Sequence, residues 1–280
     1  MKKERIVCYG IGELFYSNIE EIQSRFEVVA CSDSKRIPTD KKLKELYVKP
    51  EKLGSVSFDV LLICSNKWYL DIRDYILSEG IASPKAIMDL ESFEMEKTIN
   101  KWISEGRQIP PPDEYKHLTV REYAKSHSCN TLIETGTYYG GMIMSQLNYF
   151  ERIVSIELAE SFYNQAREKF ENCKNVELVY GDSGEVLDDV VEKYNDPIAF
   201  WLDGHYSGGD TAKGTLETPI IKEIEIISNR VKKGVLLIDD ARCFTGEHDY
   251  PNQSDLKDYI KNSLPVSSYE VLDDIIRVEW

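Results

Sequence analysis

The sequence predicts an α/β protein made of two parallel-sheet domains, and three observations carry that prediction. Within the first 25 residues a short apolar strand runs into a glycine turn and then a helix-period pattern, the opening of a βαβ unit. From Thr131 onward, five apolar runs alternate with helical patterns, and each run ends at an acidic residue. Between these parts the pattern changes to a single helix followed by a proline-rich stop. The expected organisation is a first domain over residues 1–92, a linker over 93–116 and a second domain over 117–280.

Composition bounds the function classes. The chain has 280 residues, 42% hydrophobic and 30% charged, which is ordinary for a soluble globular protein. Its net charge of −15 and the lack of a Lys/Arg stripe argue against a broad nucleic-acid face, because neutralising phosphates needs clustered cations. The same charge either keeps the protein soluble or suits cationic ligands such as a metal ion or a sulfonium. Six scattered cysteines with no CxxC pair suit a reducing cytoplasm. The opening MKKERIVCYG reads as a strand and not a signal peptide, and no apolar run approaches the roughly 20 residues of a membrane span.

In the first domain, strand 5–9 meets Gly10-Ile11-Gly12-Glu13, followed by helical spacing of Ile11, Leu14, Phe15, Ile19 and Ile22. Strands at 26–31 and 59–64 end at Ser32-Asp33-Ser34 and Ser65-Asn66. This is a small parallel sheet of Rossmann type, with Asp33 placed about 20 residues after the glycines, as in ribose-binding dinucleotide sites. Phe15 stands where the third glycine of GxGxxG belongs. Two readings stay open: a nucleotide site, or an accessory or dimerisation module that keeps the turn for backbone reasons. A homo-oligomer is compatible with the second.

The linker reads as a helix over 93–103, with Phe93, Met95, Ile99, Trp102 and Ile103 apolar, stopped by Pro110-Pro111-Pro112. A short helix over 120–126 leads into the second domain.

In that domain, strand 131–134 ends at Glu134, and Gly136, Gly140 and Gly141 follow before a helix starting near Met142. Such glycines let a ligand approach the backbone at a helix N-terminus. Strand 152–156 ends at Glu157, strand 176–180 at Gly181-Asp182-Ser183, strand 198–202 at Asp203 and strand 234–238 at Asp239-Asp240. Thr218 and Pro219 read as N-cap and first position of the helix carrying Ile220, Ile221, Ile224 and Ile227. A C-terminal hairpin, 269–272 and 275–280, turns through Asp273-Asp274. An isolated acidic strand end is commonly a cap or a solvated turn. Five together would repel unless cations or hydroxyl-rich ligands lay between them.

From about His117 to Trp280 these residues resemble a class I S-adenosylmethionine (SAM)-dependent methyltransferase, most closely the metal-dependent macrocin O-methyltransferase-like group. The resemblance implies a doubly wound seven-stranded sheet with a C-terminal strand hairpin. It implies that Glu134, Gly136 and Gly140 hold the methionine part of SAM, that Glu157 binds the ribose, and that Asp182 with Ser183 lies beside the adenine. It also implies Mg²⁺, or Mn²⁺ in its place, on Asp203, Asp239 and Asp240, a donor set of oxygens that suits such ions. Tyr138 departs from the family's ExGxGxG pattern, standing where a glycine is usual.

The implied reaction is in-line methyl transfer to an alcohol, with the metal lowering the alcohol's pKa and fixing its direction. Asp203 and His205 are the expected catalytic residues: His205 is either the general base or a hydrogen-bonding support, and Lys213 is an alternative base. The Gly/Thr-rich loop 204–217 reads as a lid, with Tyr206, Asp210 and Lys213 as contacts, and Arg242 with residues 244–250 as the facing wall. The expected acceptor is a hydroxyl of a sugar, glycan intermediate or related polar metabolite. The alternatives are a non-catalytic nucleotide- or cofactor-binding regulatory protein and a metal-dependent hydrolase using the same aspartates.

Overall fold

The computed structural model describes residues 3–194, 197–204 and 218–280. The chain forms two compact units, one running to Thr98 and one starting at Ile99.

The first unit contains β1 (Arg5–Tyr9), α1 (Glu13–Arg25), β2 (Glu27–Ser32), α2 (Lys41–Glu45), β3 (Val60–Ile63), α3 (Tyr69–Ser78) and β4 (Ile87–Asp89). The division between units falls inside the next helix, α4 (Leu90–Ser104). The four strands are parallel, in the order β2-β1-β3-β4. Because helices cover such a sheet, its strands read as unbroken apolar runs: Ile6, Val7 and Cys8 are fully buried, as are Leu61, Leu62 and Ile63. Strand β4 was not expected, since a three-residue strand leaves no period to read. Helix α4 begins at Leu90 rather than at 93.

The second unit continues with α5 (Asp113–Ser126), β5 (Thr131–Thr135), α6 (Gly141–Gln146), β6 (Arg152–Glu157), α7 (Glu160–Lys169), β7 (Val176–Tyr180) and α8 (Ser183–Val191). Then come β8 (Ile198–Leu202), α9 (Ile220–Arg230), β9 (Gly234–Ile238), α10 (Gln253–Ser263), β10 (Ser268–Leu272) and β11 (Ile275–Glu279). Helix α5 begins seven residues earlier than the expected helix at 120: Pro112 serves as its N-cap and Asp113 and Glu114 supply acid to its first turn. Pro219, not Thr218, holds the cap position of α9, and the Thr218 hydroxyl accepts from Ile220 N at 3.4 Å.

The seven strands are ordered β10-β11-β9-β8-β5-β6-β7, with β11 antiparallel to both neighbours. This is the doubly wound sheet with a C-terminal hairpin expected of the class I methyltransferase fold. Alternate residues point to opposite faces. Ile198, Phe200 and Leu202 join Leu236, Ile238, Ile276 and Val278 in one apolar cluster with Leu187 of α8, Ile224 of α9 and Leu256 of α10. Among the described residues no helix is long and apolar enough to cross a membrane.

Register places the site. Ile156, Thr135, Leu202 and Ile238 form one rung across β6, β5, β8 and β9. The residues one step beyond that rung are Glu157, Gly136, Asp203 and Asp239, so four loops leave the sheet side by side. The chain moves from β5 outward to β7 and returns to β8, so its switch point lies between β5 and β8, where open α/β sheets form their ligand crevice.

Candidate functional site

At the switch point the glycine loop is shaped by its own chain. Gly136 has φ +87, and a Cβ there would lie 2.5 Å from the carbonyl oxygen of Asp203. Gly140 has φ +71, and its Cβ would meet the Phe170 ring at 2.5 Å. Both positions exclude side chains because protein atoms approach them, a different cause from the ligand approach expected above. Tyr138, at the position where the family has glycine, adopts φ 49, a left-handed conformation that normally favours glycine. Its ring packs edge-on against Tyr139 and Phe162, at 4.2 and 4.8 Å between centroids.

Glu157 fastens this loop. Its Oε2 accepts from Tyr138 N at 2.9 Å and its Oε1 from Ala159 N at 2.7 Å. A carboxylate offers about four acceptor positions, so each oxygen retains one for a ligand hydroxyl. Glu134 lies deeper, only 2% exposed, and accepts the Ser155 hydroxyl at 2.5 Å, while Ser155 also contacts the Thr137 hydroxyl at 2.6 Å. Burial pushes the Glu134 carboxyl up to about 8; Asp203 and Glu157 add to the rise and the Ser155 bond opposes it.

Asp182 caps α8, accepting from Gly184 N at 2.9 Å. Ser183 donates its hydroxyl to Glu223 at 2.6 Å, an acid 1% exposed on the sheet-facing stripe of α9. Asp203 N donates to Thr135 O and Gly204 N to Thr135 Oγ1, which pins the end of β8 against β5.

Asp203, Asp239 and Asp240 line one small cleft with Glu223, Phe244 and Tyr250. The expected metal trio has other partners, however. Lys116 of α5 donates to Asp239 Oδ2 at 2.5 Å, with the two side chains only 15% and 1% exposed. Burial would lower the Lys116 ammonium, but Asp239, Asp203 and Asp240 together hold it above its ordinary value. Asp239 itself is pushed up to about 7, by burial first and then by Asp203, with Lys116 pulling the other way. Asp240, at φ 53, accepts from Arg242 at 2.7 Å. Arg242 also pairs with buried Asp274, whose Oδ1 accepts from Arg242 N. Asp273 and Asp274 form the β10–β11 turn with φ 52 and 65, so this hairpin turn anchors the far wall. Among the described residues no three His, Cys, Asp or Glu side chains converge as a metal cage requires. The described donor set therefore does not fit a preassembled divalent-ion site.

His205, Tyr206, Asp210 and Lys213 lie outside the described residues. Sequence reading missed Lys116, Ser155 and Glu223. Glu223 carried a signal, an acid inside the apolar period of Ile220, Ile224 and Ile227; Lys116 carried none, being 123 residues from its partner.

Residues 2–87 match a family model described as C2185-like, N-terminal. No curated protein matches the chain. Among solved structures, the chain is similar to the O-methyltransferase TomG from Streptomyces achromogenes in complex with SAM (13% identity, 66% of this chain and 87% of that one, TM-score 0.45). It is similar to an O-methyltransferase from Bacillus cereus in complex with SAH, S-adenosylhomocysteine (13% identity, 75% and 97%, TM-score 0.46). It is also similar to the SAH-bound methyltransferase PaMTH1 of Podospora anserina (14% identity, 77% and 97%, TM-score 0.41).

Proposed function

We propose that the second unit binds SAM and transfers its methyl group to a hydroxyl of a polar small molecule, with sugars and glycan intermediates the leading acceptor class. The observation that carries this reading is Glu157: a buried carboxylate that braces the glycine loop through Tyr138 N, is itself fixed by Ala159 N, and keeps two acceptor positions for a ribose diol. The surrounding charge agrees with it. Glu157 and Asp203 stand at the ends of the two strands that flank β5, a setting that favours a sulfonium cation over an anion.

SAM, when bound, supplies an activated methyl group on a positively charged sulfur. In this reading Glu157 fixes the ribose, Gly136 and Gly140 set the path of the loop beside the methionine part, and Asp182 stands at the adenine end. Ser183 contributes through its bond to Glu223. Asp203 and the Lys116–Asp239 pair orient the acceptor hydroxyl, and His205, two residues beyond Asp203, takes its proton. Mg²⁺ or Mn²⁺ is not given a step here, because Asp239 and Asp240 already share Lys116 and Arg242. A cytoplasmic setting belongs to the same reading; all six cysteines are free thiols.

Titration calorimetry of the full chain with SAH tests the proposal. Saturable binding is expected with a dissociation constant below about 1 mM. Glu157→Ala is expected to weaken it about 100-fold, the worth of two hydrogen bonds to a charged group. No heat from the wild-type chain sinks the reading.

A further inference from the structure

The first unit has its own switch point, which methyl transfer leaves unused. In the order β2-β1-β3-β4 the chain goes from β1 outward to β2 and returns to β3, so the crevice rule points to the space above the carboxyl ends of β1 and β3. A cleft of about 680 Å³ opens there, in the size range of small-molecule sites.

Asp33 has one acceptor position left for the ribose expected there. That carboxylate is taken up by backbone: Oδ2 accepts from Ile11 N at 2.7 Å, and Oδ1 from Lys35 N and Arg36 N at 2.7 and 2.9 Å. Asp33 ties the glycine turn to the loop after β2 and so presents Lys35 and Arg36 at the cleft. The Arg36 guanidinium lies against the turn, where a Cβ on Gly12 would be 3.1 Å from Nη1. Lys49 completes a cationic rim, and none of these three side chains forms an ion pair with the described residues. In a chain of net charge −15, Lys35, Arg36 and Lys49 concentrate three cations at one cleft, beside the acids Glu51 and Asp71 and an Asp33 already held by backbone amides.

The other wall is aromatic. Trp68 is 51% exposed, with the Lys35 and Lys67 ammoniums 5.5 and 5.1 Å from its ring centroid, so an aromatic surface stands beside positive charge at the cleft. The Tyr47 and Tyr75 phenols and the Glu51 and Asp71 carboxylates supply hydrogen-bonding groups for hydroxyls.

We propose that this cleft binds a nucleotide-class ligand, with its phosphates at Lys35, Arg36 and Lys49, its planar ring at Trp68 and its sugar hydroxyls toward Glu51 and Asp71. The site is distinct from the SAM crevice and lies within the first unit.

Calorimetry of the full chain with uridine 5′-diphosphate, uridine and inorganic pyrophosphate tests this, with saturating SAH present in a parallel series. Uridine diphosphate is expected to bind, and uridine and pyrophosphate each to bind at least tenfold more weakly. Arg36→Ala and Trp68→Ala, both at exposed side chains, are each expected to lose at least tenfold in affinity with unchanged thermal unfolding. Absence of uridine diphosphate binding overturns the proposal. Pyrophosphate binding as tightly as the nucleotide, unchanged affinity in both variants, or displacement of the nucleotide by SAH overturns it too.

Discussion

The two glycine turns of this chain start from the same pattern and end in opposite electrostatics. In each unit a strand runs into glycines and a helix, and the following strand ends at an acid, Asp33 in one and Glu157 in the other. Each acid braces its turn through one backbone amide, Ile11 N for Asp33 and Tyr138 N for Glu157, and accepts its other amides from its own loop. Around Asp33 the cleft is rimmed by Lys35, Arg36 and Lys49 together with Glu51 and Asp71; on the far side of β5 from Glu157, β8 and β9 are followed by Asp203 and Asp239. The difference teaches that the strand–glycine–helix turn sets where a ligand sits, and that the side chains on adjacent loops set the sign of its charge. On the two proposals above, one fold principle would serve a phosphorylated ligand in one unit and a sulfonium in the other.

The comparison breaks first at Lys116, the cation that the acidic side retains. Lys116→Met leaves the buried Asp239 carboxylate without its counter-ion, a change that costs about 3 kcal/mol when one partner of a buried pair is removed. Asp239 already titrates above its unfolded value, so the folded state holds a proton that the unfolded state releases first. Without Lys116 that imbalance grows, and the loss is expected to be larger at pH 8 than at pH 5, measured by urea unfolding at both. Equal destabilisation at the two pH values would mean that the pair acts by packing alone.

A second titration bears on the same contrast. Glu134 is held near 8 in the folded state against 4.5 in its ordinary state, so folding retains its proton between those values. Stability from this group is therefore lost as pH rises from about 4.5 to 8. Glu134→Gln keeps an acceptor for Ser155 and removes the titration. Relative to wild type, the variant is expected to gain roughly 3–4 kcal/mol between pH 5 and pH 8. Parallel pH profiles for the two proteins would show that burial does not hold a proton on Glu134 in the folded state.

Much of this was legible in the sequence, for a physical reason. Strands buried on both faces write themselves as continuous apolar runs, so IAFWL and GVLLI stood out at their observed limits, and the acids that end them share one edge because the strands are in register. What was not legible depends on contacts between distant segments. Lys116 reaches Asp239 across 123 residues, and Arg242 reaches Asp274 only because the hairpin turn closes over β9's exit. The glycines were visible, but not the reason for them: Gly136 makes room for the backbone of Asp203. Nor did sequence separate Asp33 from Glu157, since both stand at equivalent strand ends and differ in which amides and which neighbouring loops surround them.

The central claim is that the two crevices are independent sites sorted by charge. Four affinities test it most directly: SAH and uridine diphosphate, each titrated into Glu157→Ala and into Arg36→Ala full-length protein. The account predicts that Glu157→Ala loses SAH and keeps the nucleotide, while Arg36→Ala loses the nucleotide and keeps SAH. A variant that loses both ligands while remaining folded, or two variants that each keep both, would contradict it.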